Sequence, residues 1–236
     1  LAVGFFELST RSFEDFKIAN MDTPERTLAY EHMKENKGKS LYMLDAGYNG
    51  MAFIGLTKEL GHEILMPLKN CKLTKEVQSS KKRSIIREII LTKIQLKNYP
   101  ECQHFVGRSI KVRLIRTLGT TKLESQVLIT TLLDEKEFHW KELSALYRQR
   151  YLIEVAFRHL KKNLCLEHIN KRKLSRINKF LFAAILLYNL ATILRNRLKV
   201  PETLPEKEGT QMYCFSFCLD RVNLFCVGVM KPRRGI

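Results

Sequence analysis

The sequence predicts an α/β fold whose core is interrupted by a β-rich insertion and completed by helices. A strand, a helix and a second strand follow one another between Leu41 and Pro67. Segments rich in Ile, Val, Leu and Thr then succeed one another from 81 to 136, and two long helical patterns come after them. Alternation of strand and helix is typical of a parallel α/β core, whereas strands in direct succession favour an antiparallel block.

The first third of the chain supplies the predicted core. Asp22-Thr23-Pro24-Glu25 is a helix-start pattern with Asp22 as the capping residue, and its helix should end near Asn36. A strand, a helix and a strand are then predicted at Leu41–Leu44, Met51–Leu60 and His62–Pro67. Asp45 directly follows the first of these strands. Binding sites on α/β sheets collect at the carboxyl ends of strands, so we expect a site at Asp45.

The rest of the chain divides into an insertion, a helical part and a tail. The predicted strands of the insertion are Ile85–Leu96, Ser109–Leu118 and Gln126–Leu133, and the predicted helices are Trp140–Leu164 and Ser175–Leu198. We therefore assign residues 1–80 to the core, 81–136 to the β-rich insertion, 137–200 to the helices that complete the core, and leave 201–236 unassigned.

The chain is strongly basic. It has 41 Lys and Arg against 24 Asp and Glu, a formal charge of +17 and a pI near 9.7. The basic residues extend from Lys69 to Arg197 instead of forming one tail, which predicts a folded surface that binds nucleic acid. The alternative is a basic surface that is merely solvated. The six cysteines contain no C-x-x-C pair, which argues against a zinc site and favours reduced thiols in a cytoplasm.

One apolar stretch, Phe180–Leu194, could be taken for a membrane span. It is shorter than the roughly 20 residues that a bilayer requires, and Asn189 and Thr192 interrupt it. We predict a buried core helix there, and no membrane association; a membrane anchor is the alternative.

The segment from Tyr147 to Lys162 carries the most chemistry. On a continuous helix, a polar stripe falls within roughly 80° of arc, and it comprises Tyr147, Arg150, Glu154, Arg158 and Lys161. One interpretation is a surface helix with an i, i+4 ion pair between Arg150 and Glu154. The functional interpretation is a carboxylate for a hard cation beside basic groups for phosphate oxygens, the mixture that metal-assisted phosphodiester chemistry requires.

The spacing Tyr147-x₂-Arg150-x₃-Glu154-x₆-Lys161 resembles the Tyr-Arg-Glu-Lys signature of one branch of bacterial insertion-sequence DDE transposases. Leu44-Asp45-Ala46-Gly47-Tyr48 is similar to the second Asp motif of that branch, with Ala46 where relatives usually have Arg. The resemblance covers roughly residues 1 to 198.

This resemblance implies a ribonuclease H-like core in which three carboxylates hold two Mg²⁺ ions, with Mn²⁺ as a substitute. Asp45 would be the second carboxylate and Glu154 the third. Tyr147, Arg150 and Lys161 would contact phosphates of double-stranded DNA at transposon ends, and Tyr151 would support a flipped base. The implied activity is DNA cleavage and strand transfer by a homodimer in the bacterial cytoplasm, at the nucleoid.

The first carboxylate has no clear candidate in the sequence. Only Asp15 and Asp22 precede Asp45, and neither follows an apolar strand. We therefore expect an N-terminally truncated chain that is inactive by itself. A decayed remnant that only binds DNA is the alternative, and the coding sequence upstream distinguishes the two. If the site forms, Asp45 and Glu154 approach each other, and Arg150 and Lys161 face phosphates instead of ion-pair partners.

Overall fold

The computed structural model describes residues 2–20, 22–48, 50–97, 100–117, 126–162, 174–198 and 223–230. Its strands are β1 Ala2–Glu7, β2 Ser12–Ile18, β3 Ser40–Met43, β4 Glu63–Pro67, β5 Ser84–Ile90, β6 Ser109–Arg116, β7 Val127–Thr130 and β8 Asn223–Met230. Its α-helices are α1 Glu25–Glu35, α2 Met51–Glu59, α3 Lys72–Ser79, α4 Lys93–Leu96, α5 Trp140–Arg148, α6 Tyr151–Lys162 and α7 Leu174–Leu198.

The described strands form one eight-stranded mixed sheet in the order β2-β1-β8-β3-β4-β7-β6-β5. Strand β3 runs parallel to both of its neighbours, β4 and β8, whereas the outer strands on either side pair in antiparallel fashion. The α/β class predicted from the sequence is therefore confirmed. Part of the unassigned tail, Asn223–Met230, supplies the strand beside β3 in the middle of the sheet.

The predicted strand, helix and strand around Asp45 are confirmed as β3, α2 and β4, and Gly61 ends α2 with φ of +81°. Helix α1 also forms as predicted, but the capping role of Asp22 is wrong. Pro24 is the N-cap, with φ of −63°, and no side chain caps the helix. A hydrogen bond from the Thr23 N–H to the Asn20 carbonyl turns the chain before the helix begins, so Asp22 lies in that turn.

The β-rich block is antiparallel as predicted, and it extends the central sheet through the pairing of β7 with β4. The predicted strand Ile85–Leu96 is too long, because its last residues form α4. Thr92 caps α4 by accepting from the Gln95 N–H, and the Gln95 side chain accepts from the Thr92 N–H. Thr-x-x-Gln is a capping-box signal that favours a helix start over a continuing strand. Helix α3 was not predicted.

The prediction of one helix from Trp140 to Leu164 is wrong, because two helices meet at Gln149 and Arg150. At the junction the Arg150 N–H donates to the Tyr147 carbonyl at 3.1 Å, and the Leu152 N–H donates to the Gln149 carbonyl at 2.9 Å. Each of these hydrogen bonds joins residues three apart, as in a 3₁₀-helix, so the backbone is wound more tightly here than in an α-helix. Leu164 lies outside the described residues.

Helices cover both faces of the sheet. Helices α1, α2 and α3 bury Leu28, Phe53 and Val77 against one face, and α5, α6 and α7 bury residues such as Leu146 and Phe157 against the other. Strand β3 contributes alternate side chains to each side, with Leu41 and Met43 facing α5 to α7.

Helix α7 is buried on one face only, so the prediction of a buried core helix is wrong for its other face. Leu181, Ala184 and Ile185 are buried, and the Asn189 side chain bonds the Phe13 backbone N–H and carbonyl at 2.9 and 2.7 Å. By length and composition α7 could cross a membrane, although its buried face packs on the sheet. The exposed apolar side chains on its other face are Phe180, Phe182, Leu186, Leu187, Leu190, Ile193 and Leu194.

Candidate functional site

Asp45 lies in a tight turn that begins where β3 ends. The Gly47 N–H donates to Asp45 Oδ1 at 2.5 Å, and the Tyr48 N–H donates to the Asp45 carbonyl at 3.2 Å. A Cβ at position 47 would lie 2.7 Å from Asp45 Oδ1, closer than real Cβ contacts allow. Gly47 therefore lets the backbone hold this carboxylate at close range. Among the described residues, Asp45 Oδ2 has no hydrogen-bond partner, so it is available to a ligand.

Tyr147 connects α5 to this turn. Its hydroxyl donates to the Leu44 carbonyl at 3.1 Å, one residue before Asp45. The tyrosine is partly buried and packs against the core on the α5–α7 side of the sheet. The first residue of the predicted signature thus bonds the backbone directly before Asp45.

Arg150, which directly precedes α6, forms an i, i+4 ion pair with Glu154 in the first turn of that helix. Arg150 Nη2 lies 2.5 Å from Glu154 Oε1, and the two side chains are 21% and 48% exposed. The Arg150 guanidinium also lies 6.0 Å from the centre of the Tyr147 ring. The prediction that Arg150 would have no ion-pair partner is therefore wrong, and the simple i, i+4 pair that the sequence also allowed is present.

Arg150 interacts electrostatically with both carboxylates. Burial lowers the pKa of Arg150, but Tyr147, Glu154 and Asp45 outweigh it and hold that pKa above its ordinary value. Glu154 pairs with this cation directly, and the charge of Asp45 adds to its stabilisation. Such a group can neutralise a phosphate that approaches the two acids.

Lys161 and Tyr151 lie on the same helix as Glu154. Lys161 is in the last turn of α6 and has no ion-pair partner among the described residues. The Tyr151 side chain is 50% exposed, accepts a hydrogen bond from Arg158 Nη2 at 3.3 Å, and has the Arg158 guanidinium 5.9 Å from its ring centre. An exposed ring beside a cation offers a stacking surface for a nucleic-acid base.

Asp15 and Asp22 do not join this site. Asp15 lies on β2, which β1 and β8 separate from β3, and its carboxylate is 2.9 Å from His32 Nδ1 and 3.5 Å from Lys17 Nζ. These partners hold the pKa of Asp15 below its ordinary value although burial opposes them. In the part of the chain that the structure describes, no group of three or more His, Cys, Asp or Glu side chains is placed to hold a metal ion.

The sequence interpretation missed Arg26, which reaches the Asp45 turn from α1. Its Nη2 and Nε donate to the Gly47 carbonyl at 2.7 and 3.2 Å. No local pattern reveals this contact, because Arg26 and Gly47 belong to different elements. The helix-start signal at Pro24 places Arg26 in the first turn of α1 but does not predict what it touches.

Comparison with known families supports the DDE transposase resemblance at the level of the family. A family model described as "Transposase DDE domain" matches residues 2–190, which include Asp45 and Glu154. No curated protein and no solved structure matches the chain. Since the family model covers most of the sequence, this chain belongs to the transposase DDE domain family.

Proposed function

We propose that this chain is the part of a DDE transposase core that brings Asp45 and Glu154 together for metal-dependent DNA cleavage and strand transfer at the ends of a mobile element. The supporting observations are the bond from the Tyr147 hydroxyl to the Leu44 carbonyl, one residue before Asp45, and the ion pair between Arg150 and Glu154. The four residues of the signature lie inside the region that matches the family, and they are Tyr147, Arg150, Glu154 and Lys161. We also propose that the core is ribonuclease H-like and that the chain belongs to the Tyr-Arg-Glu-Lys branch of the family.

The residues present fit a divalent cation such as Mg²⁺ or Mn²⁺. Both candidate ligands are carboxylates, and each has one oxygen, Asp45 Oδ2 and Glu154 Oε2, without a hydrogen-bond donor among the described residues. Mg²⁺ in nucleotide-processing sites is often held by one or two carboxylates together with water and substrate phosphate. When bound, it would activate the attacking oxygen and neutralise charge on the leaving oxygen.

The protein groups have separate tasks in this proposal. Asp45 and Glu154 would hold the cation, and the Gly47 N–H keeps Asp45 in place. Arg150 exchanges its bond with Glu154 for a phosphate oxygen when DNA enters. Lys161 binds a neighbouring phosphate further along α6, and the exposed Tyr151 ring supports an unstacked base.

The proposed partner is double-stranded DNA at transposon ends. The net charge of +17 supports it, because a basic protein surface attracts the phosphate backbone. Family membership supports a homodimer on paired ends in the bacterial cytoplasm, at the nucleoid.

By itself the chain is expected to bind duplex DNA but leave it uncut. Within the described residues no group of three or more His, Cys, Asp or Glu side chains is placed to hold a metal ion, so a pair of metal ions would be short of protein ligands. The measurement is conversion of supercoiled plasmid to the nicked form in Mg²⁺ or Mn²⁺, beside a gel-shift series.

Variants Asp45→Asn and Glu154→Gln serve as controls in the nicking assay. Nicking that both variants abolish would keep the site and show that another part of the chain completes it, so the expected inactivity would be wrong. Metal-dependent nicking that neither variant reduces would refute the assignment of Asp45 and Glu154. Absence of DNA binding would refute the proposed partner.

A further inference from the structure

We infer that Arg26 is a positioning residue for Asp45, acting from α1 through the peptide of Gly47. The inference rests on the proposed function only in what it says about metal binding, since the contacts themselves belong to the folded chain. Arg26 lies outside both motifs that carry the family resemblance, and its side chain reaches the turn from the face of the sheet opposite to α5 and α6.

The guanidinium of Arg26 hydrogen-bonds the Gly47 carbonyl and lies close to Gly50. Nη2 and Nε donate to the Gly47 carbonyl at 2.7 and 3.2 Å. A Cβ at position 50 would lie 3.2 Å from Nη1, so Gly50 leaves room for the third nitrogen against the end of the turn. A planar guanidinium with donors in a fixed geometry is suited to such a paired contact, and a lysine ammonium is not.

Gly47 is the residue that connects Arg26 to Asp45. Gly47 accepts from Arg26 with its carbonyl and donates with its N–H to Asp45 Oδ1 at 2.5 Å. Fixing the position of Gly47 therefore fixes the donor that orients the Asp45 carboxylate. That donor occupies Oδ1, which leaves Oδ2 for a ligand.

Helix α1, which carries Arg26, packs in the hydrophobic core. Its inner face buries Leu28, Ala29 and Met33 in the core, and the His32 ring stacks on Phe5 with centroids 3.7 Å apart. Arg26 lies within one turn of Leu28 and Ala29, so these buried residues hold its backbone. Arg26 from one face of the sheet and Tyr147 from the other thus hold the backbone on either side of Asp45.

The experiment compares Arg26→Gln, Arg26→Lys and the control Arg87→Gln with the unmodified chain. Arg87 is a matched arginine on the edge strand β5, where it bonds Glu76 far from the turn. Two quantities are measured: hydrogen exchange of the Gly47 amide by NMR, and Mn²⁺ affinity by electron paramagnetic resonance. Asp45→Asn reports whether Mn²⁺ binds at this turn.

In Arg26→Gln the Gly47 amide should exchange about fivefold faster, the factor expected for loss of one ordinary hydrogen bond. Mn²⁺ affinity should fall roughly 10- to 100-fold, as when an outer partner of a metal ligand is removed. Arg26→Lys should behave like Arg26→Gln, because it keeps the charge without the paired contact. Arg87→Gln should change neither quantity.

Unchanged Gly47 exchange in Arg26→Gln would overturn the inference, whatever happens to the metal. Full rescue by lysine would also overturn it, since charge alone would then account for the effect. If the unmodified chain and Asp45→Asn bind Mn²⁺ equally, the proposed metal site fails, and the exchange data still decide whether Arg26 holds the turn.

Discussion

Raising the salt concentration from about 50 to about 200 mM should weaken binding of this chain to duplex DNA by roughly 10³- to 10⁵-fold, if 6–10 phosphates are contacted. The physical reason is the charge of +17, because each phosphate that Lys or Arg neutralises releases counterions into solution. The measurement is fluorescence anisotropy of a labelled duplex over a salt series, analysed as log affinity against log salt.

Two lysine variants test which side of the sheet contacts the DNA phosphates. Lys161→Gln should make the slope shallower by about 0.9, the value of one phosphate contact on duplex DNA. Lys34→Gln should leave the slope unchanged, because Lys34 lies on α1, across the sheet from α6. Affinity that does not vary with salt would contradict the electrostatic basis of binding. Equal effects of the two variants would contradict the role of Lys161.

Replacing Arg113 with leucine should lower the free energy of unfolding by about 2 kcal/mol, because its partly buried partners lose their donor. Arg113 is 1% exposed, and its guanidinium donates to Ser84 Oγ at 2.7 Å and to the Phe138 carbonyl at 2.6 Å. Phe138 directly precedes the N-cap of α5, so this contact also fixes where the Tyr147 helix begins. Urea denaturation measures the loss.

Arg87→Leu is the control for that experiment. Arg87 also bonds a side chain, that of Glu76, but both partners are well exposed, and exposed ion pairs contribute about 0–1 kcal/mol. If Arg113→Leu lowers the free energy of unfolding no more than Arg87→Leu does, the buried guanidinium does not stabilise the segment that precedes α5.

Short-range patterns predicted the part of the fold that positions Asp45. An apolar run, a glycine-rich turn and a second apolar run are local signals, and they form β3, the Asp45 turn and β4 as expected. The signature spacing placed Glu154 on a helix for the same reason, since residues three and four apart share a helix face. The region that matches the family model contains the residues of both motifs.

Contacts between distant segments could not be predicted in this way. Strand β8 pairs with β1 and β3 through backbone hydrogen bonds, and nothing in Asn223–Met230 identifies those neighbours. The break between α5 and α6 depends on backbone hydrogen bonds between residues three apart, which leave the apolar pattern almost intact. Arg26 was missed because its partner is a backbone carbonyl, which every residue possesses.

The central claim is that Asp45 and Glu154 bind one metal ion together, and a double-variant cycle of Mn²⁺ affinity tests it most directly. Asp45→Asn and Glu154→Gln should each weaken binding about tenfold or more, and the double variant should be little worse than either, since two ligands of one ion are strongly coupled. Glu31→Gln, which removes an exposed acid on α1, should have no effect. Additive losses, or unmodified affinity in either single variant, would contradict a shared site.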